Sequence, residues 1–561
     1  MQMKNFKYYC FILILLVFFL QSCGVKKSIN SRPDISNYDV EKPKVFKHHD
    51  SLFSSGNNFL TKNKYGQWEL YIEGNPLERG LAAGALTDSL MANQEHYFFR
   101  EIENFIPSEN KQKWIIKFLK FYNRNLYKHV PKEYKTEIYG LSRYLPDTYD
   151  FVAPPYIRNL YLHAATDIGH ALLDLAMIQE CSSAALWGNQ TEDGKLLVGR
   201  NLDFFVGDDF SKEKMLIFVN PDKGIPFVSY AWPGMLGVVS GMNKTGLTIT
   251  MNAGESKIPW SAKKPITIVA REILQYASTI EEAVEIAEKS EVFVSEALLV
   301  SSAKDNKAVS IEMSPKNFGI YEIPNSRLIC TNHFQSEAYQ DDKRNLNRIE
   351  NSHSQYRFER MEELLDQTLS TEKVTPKKMV EILRDKQGLE NESLGYGNEK
   401  ALNQLLSHHA VVFQPEKSLF WASSAPYNLG VFTAYDLKEI FNDNKLDYQP
   451  QHIDSLHIPA DDFQYSKAFK NYEKYRKINR EIDQGIAQKD KNFKEDKILK
   501  YQSLNPDFWE VYYKSGLLYY RAKKYEKAEK AFELALEKII TTKPDEKQVQ
   551  KMLKKTKRKL R

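Results

Sequence analysis

The chain has 561 residues, 42% of them hydrophobic with 32 Tyr and 31 Phe, which is material for large cores and more length than one domain needs. Four cysteines are too few for a disulfide framework, and a net charge of +5 is modest for this size, so composition points away from disulfide scaffolds and nucleic-acid binders. The basic excess is local, in residues 551–561, and reads as a solvated helix end.

The N-terminus comes first in chain order. Met1 to Lys7 carries two lysines, residues 11–20 form an apolar stretch too short for a convincing membrane span, and Leu20-Gln21-Ser22-Cys23 follows. Residues 1–22 read as a signal segment, and Leu-Gln-Ser-Cys resembles a bacterial lipoprotein box, which implies cleavage before Cys23 and lipidation of its thiol. The expectation is an exported protein held on a bacterial membrane by acyl chains, periplasmic or outer-membrane associated. Residues 23–60 are polar, contain Pro33 and Pro43, and read as a tether.

Residues 61–180 are mainly helical in pattern, over 83–105, 111–127, 133–144 and 155–178, after a short strand and a turn punctuated by Gly74, Gly80 and Gly84. From Cys181 the character changes to short β runs at 196–200, 216–219, 227–232, 238–242 and 247–252. Helices are expected over 266–276 and 279–289, the second capped by Thr279. Strands resume at 297–302, 308–313, 319–323 and 327–331, a helix covers about 354–367, and strands at 409–414, 418–422 and 430–436 close the unit. Strands, helices, then strands again argue for an α+β layered sandwich over 181–440. Residues 441–500 read as a charged helical linker. In 501–561, Trp509, Tyr512, Gly516, Tyr519, Ala528, Phe532 and Ala535 have the spacing of one tetratricopeptide-like helical hairpin. A plain helical hairpin is the simpler reading.

With Cys10 in the signal segment and Cys23 lipidated, Cys181 and Cys330 remain. Cys330 lies in the apolar run Leu328-Ile329-Cys330 and reads as a buried strand thiol, with a Cys181–Cys330 bridge as the alternative. Cys181 opens a strand that leads through an Asp193-Gly194 turn to a second strand ending in Arg200 and Asp203. Such a hairpin gathers sulfur, guanidinium and carboxylate, a plausible nucleophile site.

Five ordered motifs carry a family resemblance: Cys181-Ser182-Ser183, Gly199-Arg200-Asn201-Leu202-Asp203-Phe204, Gly241 to Leu247 leading to Met251-Asn252-Ala253, Thr331-Asn332-His333-Phe334, and Tyr356-Arg357-Phe358-Glu359-Arg360. Together they resemble the N-terminal-nucleophile (Ntn) hydrolases, nearest to the isopenicillin N acyltransferase, choloylglycine hydrolase and acid ceramidase group, over roughly residues 70–440. The resemblance implies a four-layer αββα sandwich and self-cleavage of the Glu180–Cys181 bond. Cys181 then attacks a linear, non-peptide amide, or takes up its acyl group, through a thioester. Its own α-amine, titrating near roughly 7.7–8.0, accepts the proton. Glu180 stands where the acyltransferase branch usually has glycine, and a chain that failed to cleave would stay latent.

The remaining roles follow from charge. Arg200, a permanent cation near sulfur, would favour the thiolate. Asp203 would accept hydrogen bonds from the new α-amine. Asn252 and Asn332 would offer amide donors to the oxyanion, each worth about 2.7–4 kcal/mol of barrier. Arg357 matches the family's late arginine, with Arg360 the rival position. The expected partners are a small-molecule amide or acyl substrate, the membrane through Cys23, and a protein through the C-terminal helices, but no nucleic acid. No cofactor is implied, and no metal, since no ligand spacing stood out. Two other readings use the same residues: a Cys/His protease pairing Cys181 with His408 or His409, and a latent hydrolase-fold adaptor working through its C-terminal helices.

Overall fold

Strands such as Leu197–Phe204 are buried along their whole length, so a sheet built from them must be covered on both faces. The computed structural model, which describes residues 24–561 apart from 166, 169–178, 256–258, 260, 325, 443–447 and 491–492, meets that demand with two stacked sheets. In chain order the strands are β1 (Phe46–His49), β2 (Leu52–Ser55), β3 (Asn58–Lys62), β4 (Trp68–Gly74), β5 (Gln179–Leu186), β6 (Leu197–Phe204), β7 (Met215–Pro221), β8 (Phe227–Ala231) and β9 (Ser240–Asn243). They continue with β10 (Leu247–Ala253), β11 (Glu296–Ser302), β12 (Lys307–Met313), β13 (Phe318–Tyr321), β14 (Arg327–Cys330), β15 (His409–Gln414), β16 (Leu419–Ser423) and β17 (Phe432–Asp436). One sheet runs β1-β2-β3-β4-β7-β8-β9-β10-β11-β12-β13, the other β14-β5-β6-β15-β16-β17.

Phe218, Tyr230, Met242 and Leu299 of the larger sheet meet Ala185, Val198, Val411 and Phe420 of the smaller in one core. The outer face of the larger sheet is covered by helices Pro76–Phe105, Lys132–Ser142, Pro155–His163, Ile266–Tyr276 and Ile280–Glu288. Helices Ser354–Leu369 and Pro376–Leu383 cover the smaller sheet through Ala184, Leu186 and Leu197. The layers are helix, sheet, sheet, helix, as the sequence led one to expect. Thr279 caps its helix in a capping box with Glu282.

Two boundaries differ from expectation. The stretch read as a tether carries β1 and β2 and enters β3, because Leu52, Phe59 and Leu60 are buried against neighbouring strands. The short strand expected ahead of the helices is β4, which pairs in parallel with β7, Trp68 opposite Met215 through Gly74 opposite Pro221. The helix within the segment read as a helical linker, Lys467–Ala487, is not a separate link, because its Tyr472, Tyr475, Ile478 and Ile482 share a core with the later helices and with Leu405 and Leu429. Helices Trp509–Arg521 and Tyr525–Leu536 form the expected hairpin, with Gly516 against the Phe532 ring. Cys23 lies outside the described residues, and among those described no helix is long and apolar enough to cross a membrane.

The N-terminal helices are locked to the sheet by glycine and charge. Asn75 and Glu78 form a capping box at the start of Pro76–Phe105. One turn on, Gly80 lies against the Lys132–Ser142 helix so closely that a Cβ there would stand 2.0 Å from the Glu137 carbonyl oxygen. Beside it the buried Arg79 donates to Glu137 Oε2 at 2.7 Å, and Glu137 also takes Arg271 of helix Ile266–Tyr276 at 3.2 Å. Gly80→Ala should therefore lower stability by about 1–3 kcal/mol, the usual cost of overpacking. Denaturant unfolding of the two proteins checks this, and equal midpoints would mean the helix pair yields freely.

Candidate active site

The register of β5 and β6 sets the site: Glu180 lies opposite Asp203, Cys181 opposite Leu202, and Ser183 opposite Arg200. Side chains alternate along a strand, so Cys181, Ser183 and Arg200 face the space between the sheets while Glu180, Ser182 and Asp203 face the covering helices. Cys181 is reached from both sides.

On the inner side, Arg200 Nη2 donates to Cys181 Sγ at 3.3 Å and to the Met251 carbonyl at 2.6 Å. Its Nη1 donates to the Ser240 hydroxyl. Ser240 in turn lies 2.9 Å from His409 Nε2, and His409 Nδ1 lies 2.9 Å from His408 Nδ1. The thiol is fully buried, and burial pushes it up to about 11 despite the pull of Arg200. Desolvation thus outweighs the pull of Arg200 toward the expected thiolate.

On the outer side, Arg357 holds both ends of the bond. Its Nη1 donates to the Cys181 carbonyl at 2.6 Å and to Ser182 Oγ at 2.9 Å. Its Nη2 donates to Asn332 Oδ1 at 2.8 Å and to the Glu180 carboxylate. Asn332 Oδ1 also accepts the Cys181 backbone N–H at 2.8 Å. Arg348 takes the other oxygen of Glu180. Burial works against the charge of Glu180, but Arg348 and Arg357 outweigh it and hold the carboxyl down at about 2.

Asp203 is also fully buried. One carboxylate oxygen accepts the Ser407 hydroxyl, the other has no hydrogen-bond partner, and burial pushes the group up to about 7.

The two asparagines act differently from the expectation. Asn332 donates its amide N–H to the Ala253 carbonyl at 2.9 Å and accepts the Cys181 backbone N–H on its oxygen, so it is seen as an acceptor at Cys181. Asn252 accepts from Ser183 Oγ and donates to the Cys330 carbonyl, both at 2.9 Å, tying β10 to β5 and β14. Arg360 pairs with Asp385 at 3.0 Å, away from the nucleophile. Cys181 and Cys330 are both free thiols. The imidazoles of His408 and His409 stand behind Ser240 rather than on the sulfur, and burial holds both well below the ordinary histidine range.

Sequence reading missed Arg348, Ser240 and Ser407. Arg348 is separated from Glu180 by 168 positions, and nothing local marks it among the other charges of its helix. Glu296 was missed as well: it is buried at the start of β11, both its oxygens lack partners, and burial pushes its carboxyl well above the ordinary range. Beside β6, Phe204, Phe210, Trp232 and Met235, together with the polar Gln94, Glu95 and Asn159, line a cavity of about 30 Å³, with room for water only. A larger cleft, about 680 Å³, lies elsewhere, between Arg384, Lys386 and Asp461 and the C-terminal Asn505.

The model of the family described as acyl-coenzyme A:6-aminopenicillanic acid acyl-transferase matches residues 189–425. The resemblance read from the sequence holds over this stretch. It begins after Cys181 and takes in Arg200, Asp203, Asn252, Asn332 and Arg357. A curated relative, an uncharacterized protein of Archaeoglobus fulgidus, is 24% identical over 278 residues, which are 46% of this chain and 45% of the relative. This chain thus spans less than half of the relative's length. Among solved structures, a Caenorhabditis elegans ortholog of N-acylethanolamine-hydrolyzing acid amidase is 18% identical, over 42% of this chain and 93% of its own, with a TM-score of 0.31. Two variants of the conjugated bile acid hydrolase of Clostridium perfringens are each 14% identical. They cover 46% and 47% of this chain and 93% and 95% of their own, with TM-scores of 0.33 and 0.34. Likenesses this remote assign no chemistry to the acyltransferase-like stretch.

Asp203 gives a pH test. Its native value of about 7 lies above the roughly 3.9 of an unfolded aspartate, so the native state holds the extra proton between those values. Its contribution to stability is present below about pH 4 and is lost as pH rises toward 7. In a Cys181→Ala background, Asp203→Asn should gain stability over its parent progressively from pH 4 to pH 7. Thermal unfolding across that range measures it, and a pH-independent difference would show that Asp203 titrates normally.

Proposed function

We propose that the protein is a self-processing cysteine Ntn hydrolase that cleaves a linear, non-peptide amide, or transfers its acyl group, through a thioester on Cys181. The observation that carries this reading is the convergence of Asn332 and Arg357 on the Cys181 nitrogen, the Cys181 carbonyl and the Glu180 side chain. A strand residue that merely filled the core would not need its peptide flanks gripped by buried charge.

In the self-cleavage step Cys181 Sγ attacks the Glu180 carbonyl carbon and the C–N bond breaks. The acyl group passes to sulfur while the Cys181 nitrogen, gaining a proton, becomes an amine. Water hydrolyses the thioester, giving a Glu180 carboxylate and a free thiol on a new N-terminal cysteine. Asn332 Oδ1 already accepts from that nitrogen, and the unpartnered oxygen of Asp203 supports a second acceptor for the amine. In turnover the amine takes the thiol proton as sulfur attacks the substrate carbonyl, and returns it to the leaving amine. Water, or an acceptor nucleophile, then releases the acyl group. Arg200 stabilises negative charge on sulfur.

The apolar side chains beside β6 support an acyl group of hydrocarbon character once cleavage opens the site. The lipoprotein-like segment supports export and attachment to a bacterial membrane through acyl chains on Cys23. The C-terminal helices support a protein-contact role, with the tetratricopeptide-like spacing as its sequence basis.

Intact mass and N-terminal sequencing test the proposal. The wild type should give two chains, the second starting at Cys181, and Cys181→Ala should give one. Asn332→Ala, which frees the nucleophile's nitrogen, should slow cleavage by about 10²-fold. An intact wild-type chain would overturn the reading and favour the latent adaptor.

A further inference from the structure

Beyond β17 the chain runs His452-Ile453-Asp454-Ser455-Leu456-His457. A 3₁₀ turn over Asp454–Leu456 folds this segment back on itself, so that one donor atom from each of His452, Asp454 and His457 lies within 4.8 Å of the others. His452 Nε2 stands 3.2 Å and His457 Nδ1 3.6 Å from the same oxygen, Asp454 Oδ1. Ligand atoms on a tetrahedral zinc ion, with bonds of about 2.0–2.1 Å, stand about 3.3 Å apart. The two separations to Asp454 Oδ1 are already near that spacing, and the two imidazoles lie within 4.8 Å of each other.

We infer that His452, Asp454 and His457 form a binding site for a divalent transition-metal ion, with zinc the best match. Two imidazoles and one carboxylate select zinc and its neighbours over magnesium or calcium, and water completes the tetrahedron. The site shares no residue with the Cys181 centre. No metal was expected from the sequence, where a His-x-Asp-x-x-His run is weak without the turn that closes it.

The surroundings suit the ion. Both imidazoles are about nine-tenths buried, with 11% and 8% of their side chains exposed, while Asp454 is 62% exposed and leaves a path from solvent. The far nitrogen of His452, Nδ1, is buried without a hydrogen-bond partner and lies 3.8 Å from Glu69 Oε1. Glu69 is itself fixed by Tyr435 Oη at 2.9 Å and Asn63 Nδ2 at 3.0 Å. A carboxylate behind a ligating histidine orients the ring and raises its basicity.

Two contacts enter the balance. The Tyr65 hydroxyl meets His457 Nδ1 at 3.2 Å, so coordination replaces that hydrogen bond. Lys64 Nζ holds Asp454 Oδ2 at 2.7 Å, on the oxygen the ion does not need.

The test uses the full chain without a histidine tag, stripped with a chelator and titrated with zinc chloride against a chromophoric competitor. One zinc per chain is expected, with a rise in melting temperature. His452→Ala and His457→Ala should each weaken binding at least 100-fold, whereas Tyr65→Phe should bind as tightly as the wild type or more so. X-ray absorption at the zinc edge should show two imidazoles and oxygen ligands. Sub-stoichiometric binding, affinity unchanged in both histidine variants, or an all-oxygen shell would overturn the assignment.

Discussion

The pairing register of β5 with β6 is the constraint on which the active centre depends. Because residues alternate between faces, the alignment of Ser183 with Arg200 puts guanidinium and thiol in the same inter-sheet space. It also turns Glu180 and Ser182 outward, where Arg357 can reach them. A slip of one residue would move the thiol to the other face, away from Arg200. The two covered sheets make that slip costly, since it would also turn Ala184 and Leu186 out of their own core.

Within that frame, burial and charge oppose each other at every group. Desolvation keeps the Cys181 thiol protonated beside a cation and raises Asp203 toward neutrality, while two arginines keep Glu180 ionised in the same small volume. The thiol is thus disfavoured as a thiolate while the peptide flanking it is held. Creating an amine at Cys181 would place a new cation between Asn332 and Asp203 and change that balance.

The segment before Cys181 is part of the same body as the segment after it. The parallel pairing of β4 with β7 puts it inside the larger sheet, and the Arg79–Glu137–Arg271 cluster crosses from its helices to a helix that follows Cys181. Cleaving one peptide bond leaves this hydrogen bonding and ion pairing intact, so a processed protein would remain a two-chain whole.

The layered α+β class, the strands from β6 to β17 and the capped helix at Thr279 were legible in the sequence, because periodicity and capping are local properties. So were Cys181, Arg200, Asp203, Asn332 and Arg357 as a set. Only the tertiary structure decided what they do to one another: that Asn332 receives the nucleophile's nitrogen, that Asn252 ties strands together, and that Arg357 rather than Arg360 reaches Cys181. Arg348, Ser240 and the His452–His457 turn were invisible for the same reason. Their contacts join residues far apart in the chain or depend on one turn's closure, and protonation follows burial, which no single residue's neighbours in sequence reveal.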